Sequence, residues 1–446
     1  MIFAMFALLS CSGEDRKSGI IKSELATEEN RIRKEPNTTK KQPQSVIPNK
    51  PATPVDSSKP FYTIDNIELL PLRLPSQHKS LANPVTLQDK HKATLTLLKT
   101  FVKRHGLIKD NPWAMSHALL ALGPSAELPD GQNAISYMFE NHAQIKKINQ
   151  KEFLSFPRKK EKSGQSIPVE PHKDLILKVL TEIGTDPSMK VTVGGKQYTI
   201  GDLYRGTLLT TYLTPTTNQS SYSSPNDMPW SVQALSTYIS ADTHWKSTSG
   251  AKMNIEGLTL FLAAVISKES QSIKQMMQGK TAFKKDRTGI FKYTCGGSHL
   301  LQGLAYANAR GVQSPRINQE IAEQITVLFY RFPEELKVYD QLMKEHPKYK
   351  TQLLIQRLKF VGHFIESTAK IQLLGYFQAD ERQTKMILGA LDQMTLTVSA
   401  LRKEGLFDDP KKLLPSEQQL YLDLIGDSAH ATYGMELISG ARKIRY

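Results

Sequence analysis

Residues 292–307 read KYTCGGSHLLQGLAYA, and the second half of that stretch carries the strongest constraint on the fold. From Ser298 onward, Leu300, Leu301, Leu304 and Ala305 fall at the three- and four-residue spacing of a helix. No charged residue interrupts the run before Arg310. A helix without a charged face has no side to offer water, so other helices must surround it. Four further segments share this poverty of charge and wealth of Ala, Gly, Ser and Leu. They are PWAMSHALLALG (112–123), MPWSVQALSTYI (228–239), VGHFIESTAKIQLL (361–374) and GDSAHATYGMEL (426–437).

Helices of the opposite kind lie between them. Residues 254–280, 316–345 and 380–404 are long and carry charge along one face. Uncharged inner helices alternating with amphipathic outer ones specify an all-α fold. The plan is that of an α/α toroid, about six helix hairpins closed into a ring, whose trace in sequence is weak repetition of a helix pair. An irregular bundle or open solenoid is the other arrangement that the same helices permit. The one clear β signal is KVTVGGKQYTI, a small hairpin near 190–199 turning at Gly194-Gly195. No linker interrupts 61–446, which reads as a single helical domain.

The amino terminus differs. MIFAMFALLSC (1–11) is a short apolar run ending in a cysteine and resembles a bacterial signal peptide with a lipobox, Cys11 being the lipidated residue. No Lys or Arg precedes the run, and Leu9 is bulkier than usual at its place. Residues 12–60 are rich in Lys, Pro, Ser, Thr, Asn and Gln and cannot bury enough apolar surface to offset their ordering entropy. They read as a disordered tether. A lipoprotein of the bacterial cell envelope, bound to the membrane through its lipid, is the expectation.

The net charge is +15, and the tether holds ten basic and seven acidic residues, so 15 − 3 leaves +12 on the folded part. Such a surface favours an anionic polymer or glycan as partner. The basic residues are scattered, with no arginine-rich arm or RNA-binding motif, so no nucleic acid is expected.

The alternation of helix types over 85–446 resembles the α/α-toroid superfamily of terpenoid cyclases, prenyltransferase β-subunits, lanthionine-synthetase cyclases and several polysaccharide lyases and hydrolases. The resemblance is architectural. The chain has no DxDD stretch and no repeated Gln-Trp signature, and its folded part has one cysteine, Cys295, where lanthionine cyclases hold zinc with two cysteines and a histidine. It implies a hydrolase or lyase site at one mouth of the ring.

If the inner helices run parallel, their amino termini gather at that mouth, where unpaired N–H groups favour anions. His117, His299, His363 and His430 each fall within the first turn or so of an inner helix on this reading. Asp227, Glu366 and Asp427 are the accompanying acids. Trp113 and Trp230 occupy matching entrances, with Tyr293, Tyr306 and Tyr433 in reach of them. Gly296 and Gly297 permit close approach of a ligand or a positive-φ turn. Cys295, four residues before His299, suits either a thiolate–histidine pair or two ligands of a zinc site completed by distant histidines. Plainer readings stand beside each of these. The histidines can be caps or core residues, and Asp427 an N-cap. Glu366 and His363 can be a helix-surface pair, the tryptophans packing residues, and Cys295 a buried inert thiol.

Three functions follow as expectations: an envelope enzyme binding and cleaving an anionic or glycan substrate, a non-catalytic binding or scaffold lipoprotein, and a zinc-dependent version of the enzyme.

Overall fold

A computed structural model describes residues 61–445 apart from 76, 163–164, 215–218, 223–224, 287, 294, 313 and 415–416. The expected signal peptide with Cys11 and the tether at 12–60 lie outside the described residues. Thirteen α-helices occur among the described residues. The first seven are α1 Asp89–Gly106, α2 Pro112–Leu122, α3 Ala134–His142, α4 Leu175–Glu182, α5 Ile200–Thr210, α6 Met228–Tyr238 and α7 Ile255–Glu269. There follow α8 Gln271–Met277, α9 Ser298–Ala309, α10 Pro315–Glu345, α11 Lys350–Leu373, α12 Glu381–Lys403 and α13 Gln418–Ile438.

The five charge-poor segments form buried helices, joined by α4, which carries Lys178 and Glu182. Every residue of α4 and of α6 is buried, as is α13 from Leu420 to its end. These helices are neighbours in sequence order: α2 packs on α4, α4 on α6, α6 on α9, α9 on α11, and α11 on α13, which packs in turn on α2. The amphipathic helices cover them. Helix α1 lies on α2 and α13, α7 on α6 and α9, α10 on α9 and α11, and α12 on α11 and α1. In α10 the buried residues Ile317, Ile321, Gln324 and Leu328 recur at helical spacing, which leaves the opposite face to its charges.

Small residues set the closest approaches. A Cβ on Gly362 would sit 3.3 Å from Ala431 Cβ, and one on Gly434 would sit 2.8 Å from the backbone N of Glu366. The second contact is with helix backbone, which cannot yield as a side-chain tip can. Alanine favours a helix over glycine by about 1 kcal/mol. Gly434→Ala is nevertheless expected to destabilise the protein by roughly 1–3 kcal/mol, read as a lower urea midpoint with an unchanged slope.

Three expectations need correction. First, the chain is mostly helical rather than all-α. The hairpin Lys190–Val193 with Lys196–Thr199 is present, turning on Gly194 and Gly195 at φ 56° and 77°. Two more antiparallel hairpins pair Gln144–Ile148 with Lys151–Ser155 and Lys159–Lys162 with Gln165–Pro168, and a three-stranded sheet holds Phe61–Tyr62, His244–Lys246 and Lys252–Asn254. Lysine and glutamate so dominate the two hairpins that apolar alternation barely shows. Second, residues 254–280 divide at Ser270 into α7 and α8. The Ser270 hydroxyl bonds back to Ile266 O and accepts from Gln324 Nε2 of α10 at 2.8 Å. Third, no helix begins at Gly426, because α13 runs straight through it. A Cβ there would meet Trp113 Cη2 at 2.6 Å, so this glycine is a notch for the indole. His430 therefore lies midway along α13 and His363 midway along α11, well beyond their first turns. Among the described residues no helix is long and apolar enough to cross a membrane.

Candidate functional site

Four buried imidazoles converge where α2, α9, α11 and α13 meet. Ring centroids lie 4.3 Å apart for His363 and His430, 4.9 Å for His299 and His363, and 5.6 Å for His299 and His430. His117 joins through His430, at 5.5 Å. The close packing of α11 on α13 brings His363 and His430 together, and Trp113 in its Gly426 notch holds α2 near enough for His117. His299, in the first turn of α9, is the one histidine of the four at a true helix start.

Acceptor groups fix which nitrogen carries the proton. His117 Nδ1 stands 2.8 Å from the Trp113 carbonyl oxygen, which can only accept, so Nδ1–H donates and Nε2 keeps its lone pair. His430 Nδ1 donates in the same way to Glu366 Oε2 at 2.7 Å. That oxygen is also 3.4 Å from His363 Nδ1, long for a hydrogen bond. Burial pushes His117 and His430 down to about 3, drives His299 well below the usual imidazole range and lowers His363. All four rings are neutral at neutral pH.

Beneath the rings lies a buried network of alternating charge. Lys370 Nζ donates to Glu366 Oε1 and to Glu182 Oε1, both at 2.5 Å, and to Gln302 Oε1 at 3.1 Å. Glu182 also receives Gln233 Nε2 at 2.5 Å and pairs with Lys178 at 3.0 Å. Buried charges are tolerated only when paired and hydrogen-bonded, and two cations facing two carboxylates meet that condition. Burial would raise Glu366, but Lys370 and His430 outweigh it and hold its carboxyl well below the usual range.

The remaining candidates fall in several places. Trp113 lies tilted at 33° against His117 with centroids 4.0 Å apart, and Trp230 stands edge-on to His299 at 5.3 Å. Both indoles are buried among protein groups, at 7 % and 4 % exposure, which leaves little face for stacking a sugar. Asp227 accepts from His172 Nδ1 at 2.9 Å, and the His172 ring stands against Trp230 at 4.6 Å. Asp427 lies 3.8 Å from Lys359 Nζ. Tyr433 packs over Lys370, 5.2 Å from its Nζ, and Tyr306 is buried near Glu182 and Tyr433. Tyr293 is buried with its hydroxyl oxygen unpaired among the described residues.

The sequence reading of the Cys295 entrance changes most. The thiol lies 3.8 Å from Asn226 Oδ1. Among the described residues the metal-competent group is His299, His363 and His430, one ligand atom from each lying within 4.8 Å of the others, without Cys295. The double glycine serves the protein itself. Gly296 and Gly297 take φ +60° and +74°, and their Cβ atoms would collide with Arg331 Nη2 at 2.0 Å and Ile290 Cδ1 at 2.7 Å. Arg331 donates to the Gly296 carbonyl while paired with Glu335, and so ties this turn to α10.

Lys178, Glu182, Gln233, Gln302, Lys370 and His172 escaped the sequence reading. Their signal was present. Lys178 in LILKVLTE and Lys370 in STAKIQLL are the single cations of largely apolar segments, and a cation there must have a buried partner. No known protein family, curated protein or solved structure matches this chain.

Proposed function

We propose that the chain is an envelope-anchored lipoprotein whose folded part is an α/α toroid, and that the toroid acts as a hydrolase or lyase on an anionic or glycan substrate. The order in which the buried helices touch, from α2 through α4, α6, α9, α11 and α13 back to α2, supports the ring. The observation that carries the enzyme reading is the convergence of neutral imidazoles, two of which, His117 and His430, have their Nε2 lone pairs kept bare by acceptors on Nδ1.

A positioned, unprotonated imidazole is a general base, and one backed by a carboxylate stabilises the imidazolium it becomes. His430 backed by Glu366 has this arrangement, and it can return the proton to a leaving oxygen. His117, held by a carbonyl instead, is the weaker base. The basic surface gathers an anionic polymer towards the site.

The test is incubation of the full chain with uronate-containing glycans, sulfated glycans and peptidoglycan. New reducing ends or the ultraviolet absorbance of an unsaturated uronide are expected, with a loss of about 10²–10⁴-fold in His430→Gln. Tight binding without turnover would favour the non-catalytic scaffold, and neither binding nor turnover would sink both readings.

A further inference from the structure

We infer that His299, His363 and His430 form a three-histidine centre for a divalent transition metal, best matched by zinc, with its fourth position left to water. The donors come from three separate helices, α9, α11 and α13, and meet only in the folded chain. Three neutral nitrogens with no carboxylate among them suit zinc and its neighbours and not the oxygen-seeking Mg²⁺ or Ca²⁺. Three protein ligands with one open place is the pattern of zinc sites that activate water.

Two further observations point to a ligand. Glu366 receives the Nδ1–H of His430 at 2.7 Å, so the Nε2 lone pair points away from the carboxylate, as a carboxylate–histidine–metal arrangement requires. Lys370 in turn fixes Glu366 at 2.5 Å. His299, more than nine-tenths buried, keeps its Nδ1 without a hydrogen-bond partner among the described residues. An unpaired buried polar atom costs about 1–3 kcal/mol, so a group that engages this ring has energy to recover.

The spacing fits. Zn–N bonds of about 2.0–2.1 Å at tetrahedral angles place ligand nitrogens roughly 3.4 Å apart. The three ligand atoms already lie within 4.8 Å of one another, so ring rotations of rotamer scale complete the geometry.

The experiment uses the full chain, purified without added metal or chelator. Elemental analysis is expected to find about one zinc per chain. After chelation, Co²⁺ should bind with one-to-one stoichiometry and the intense visible absorption of a tetrahedral site. His363→Gln and His430→Gln, folded by circular dichroism, should lose that band, and Glu366→Gln should weaken binding 10–100-fold. Cys295→Ser should keep the band, which separates this centre from a Cys/His site. If the helix-core variants fail to fold, His299→Gln at the start of α9 makes the same measurement. Absence of stoichiometric metal in both assays, or an unchanged Co²⁺ band in the histidine variants, overturns the inference. Metal on His430 would occupy the Nε2 lone pair that the enzyme reading gives to a general base. Glycan turnover with no stoichiometric metal therefore overturns the centre and keeps His430 as the base, whereas stoichiometric metal lost in the histidine variants establishes the centre and leaves the base role to His117.

Discussion

Lys370→Met is expected to lower the stability of the fold by about 3–5 kcal/mol, the cost of stripping a partner from a buried ion pair. Lys370 is completely buried and holds two carboxylates, Glu182 and Glu366, at 2.5 Å each. Without it, Glu182 retains Lys178 and Gln233, but Glu366 is left with His430 and a distant His363. A carboxylate so placed must either stay charged in an apolar surround or take up a proton. Replacing both members changes the outcome. Lys370→Met combined with Glu366→Leu leaves the pair Lys178–Glu182 intact and buries no unpaired charge between α11 and α13. The double variant should therefore lose less than the sum of the two single losses, with a coupling of about 1–3 kcal/mol. Urea unfolding of the four proteins measures this directly, and additive losses would show that Lys370 and Glu366 do not act as a pair.

Acidification of the metal-depleted protein should unfold it well above pH 3. His117 and His430 titrate at about 3 in the folded chain because burial penalises their charged forms, the Trp113 carbonyl and Glu366 opposing only in part. In the unfolded chain both return to 6.5. Between those values the unfolded state binds more protons, so stability rises with pH, is fully present above 6.5 and drains away as pH falls. Each such histidine contributes a slope of about 1.4 kcal/mol per pH unit, or roughly 3 for the two. His299 and His363 shift in the same direction. Glu366 adds to the loss below 4.5, since its folded carboxyl is held down and must be protonated to unfold. Urea midpoints taken from pH 7.5 to 4.5 in the presence of a chelator test the slope. A flat profile over that range would mean the rings are solvated in solution, and His430→Gln should flatten it measurably.

Much of the helix pattern was readable from single segments. Periodicity located most helices, and poverty of charge identified most of those that are buried, α4 with Lys178 and Glu182 excepted, because a helix face without charge can be satisfied only by other protein. The hairpin at 190–199 was readable for a similar reason: Gly194-Gly195 is a local signal for a two-residue turn. The limits are equally physical. Gly426 looks like a helix boundary in sequence because glycine usually costs a helix stability, and only the Trp113 ring lying against it shows why it is there. Gly296 and Gly297 looked like a ligand's doorway, and the groups that need their space are Arg331 and Ile290. Lys178 and Lys370 were visible as lone cations, but their shared partner Glu182 lies on one helix and serves both.

What the amino-acid sequence by itself determined is the local character of each helix, together with a short set of histidines on the uncharged ones. Those properties depend on neighbours three or four residues away and need no knowledge of the fold. Tertiary structure alone decided that His363, not Cys295, stands beside His299, that Glu366 fixes the tautomer of His430, and that Lys370 reaches Glu182 on another helix. Each of those relations joins separate helices or depends on how two helices pack, and helix packing distances are set by the side chains of both partners at once.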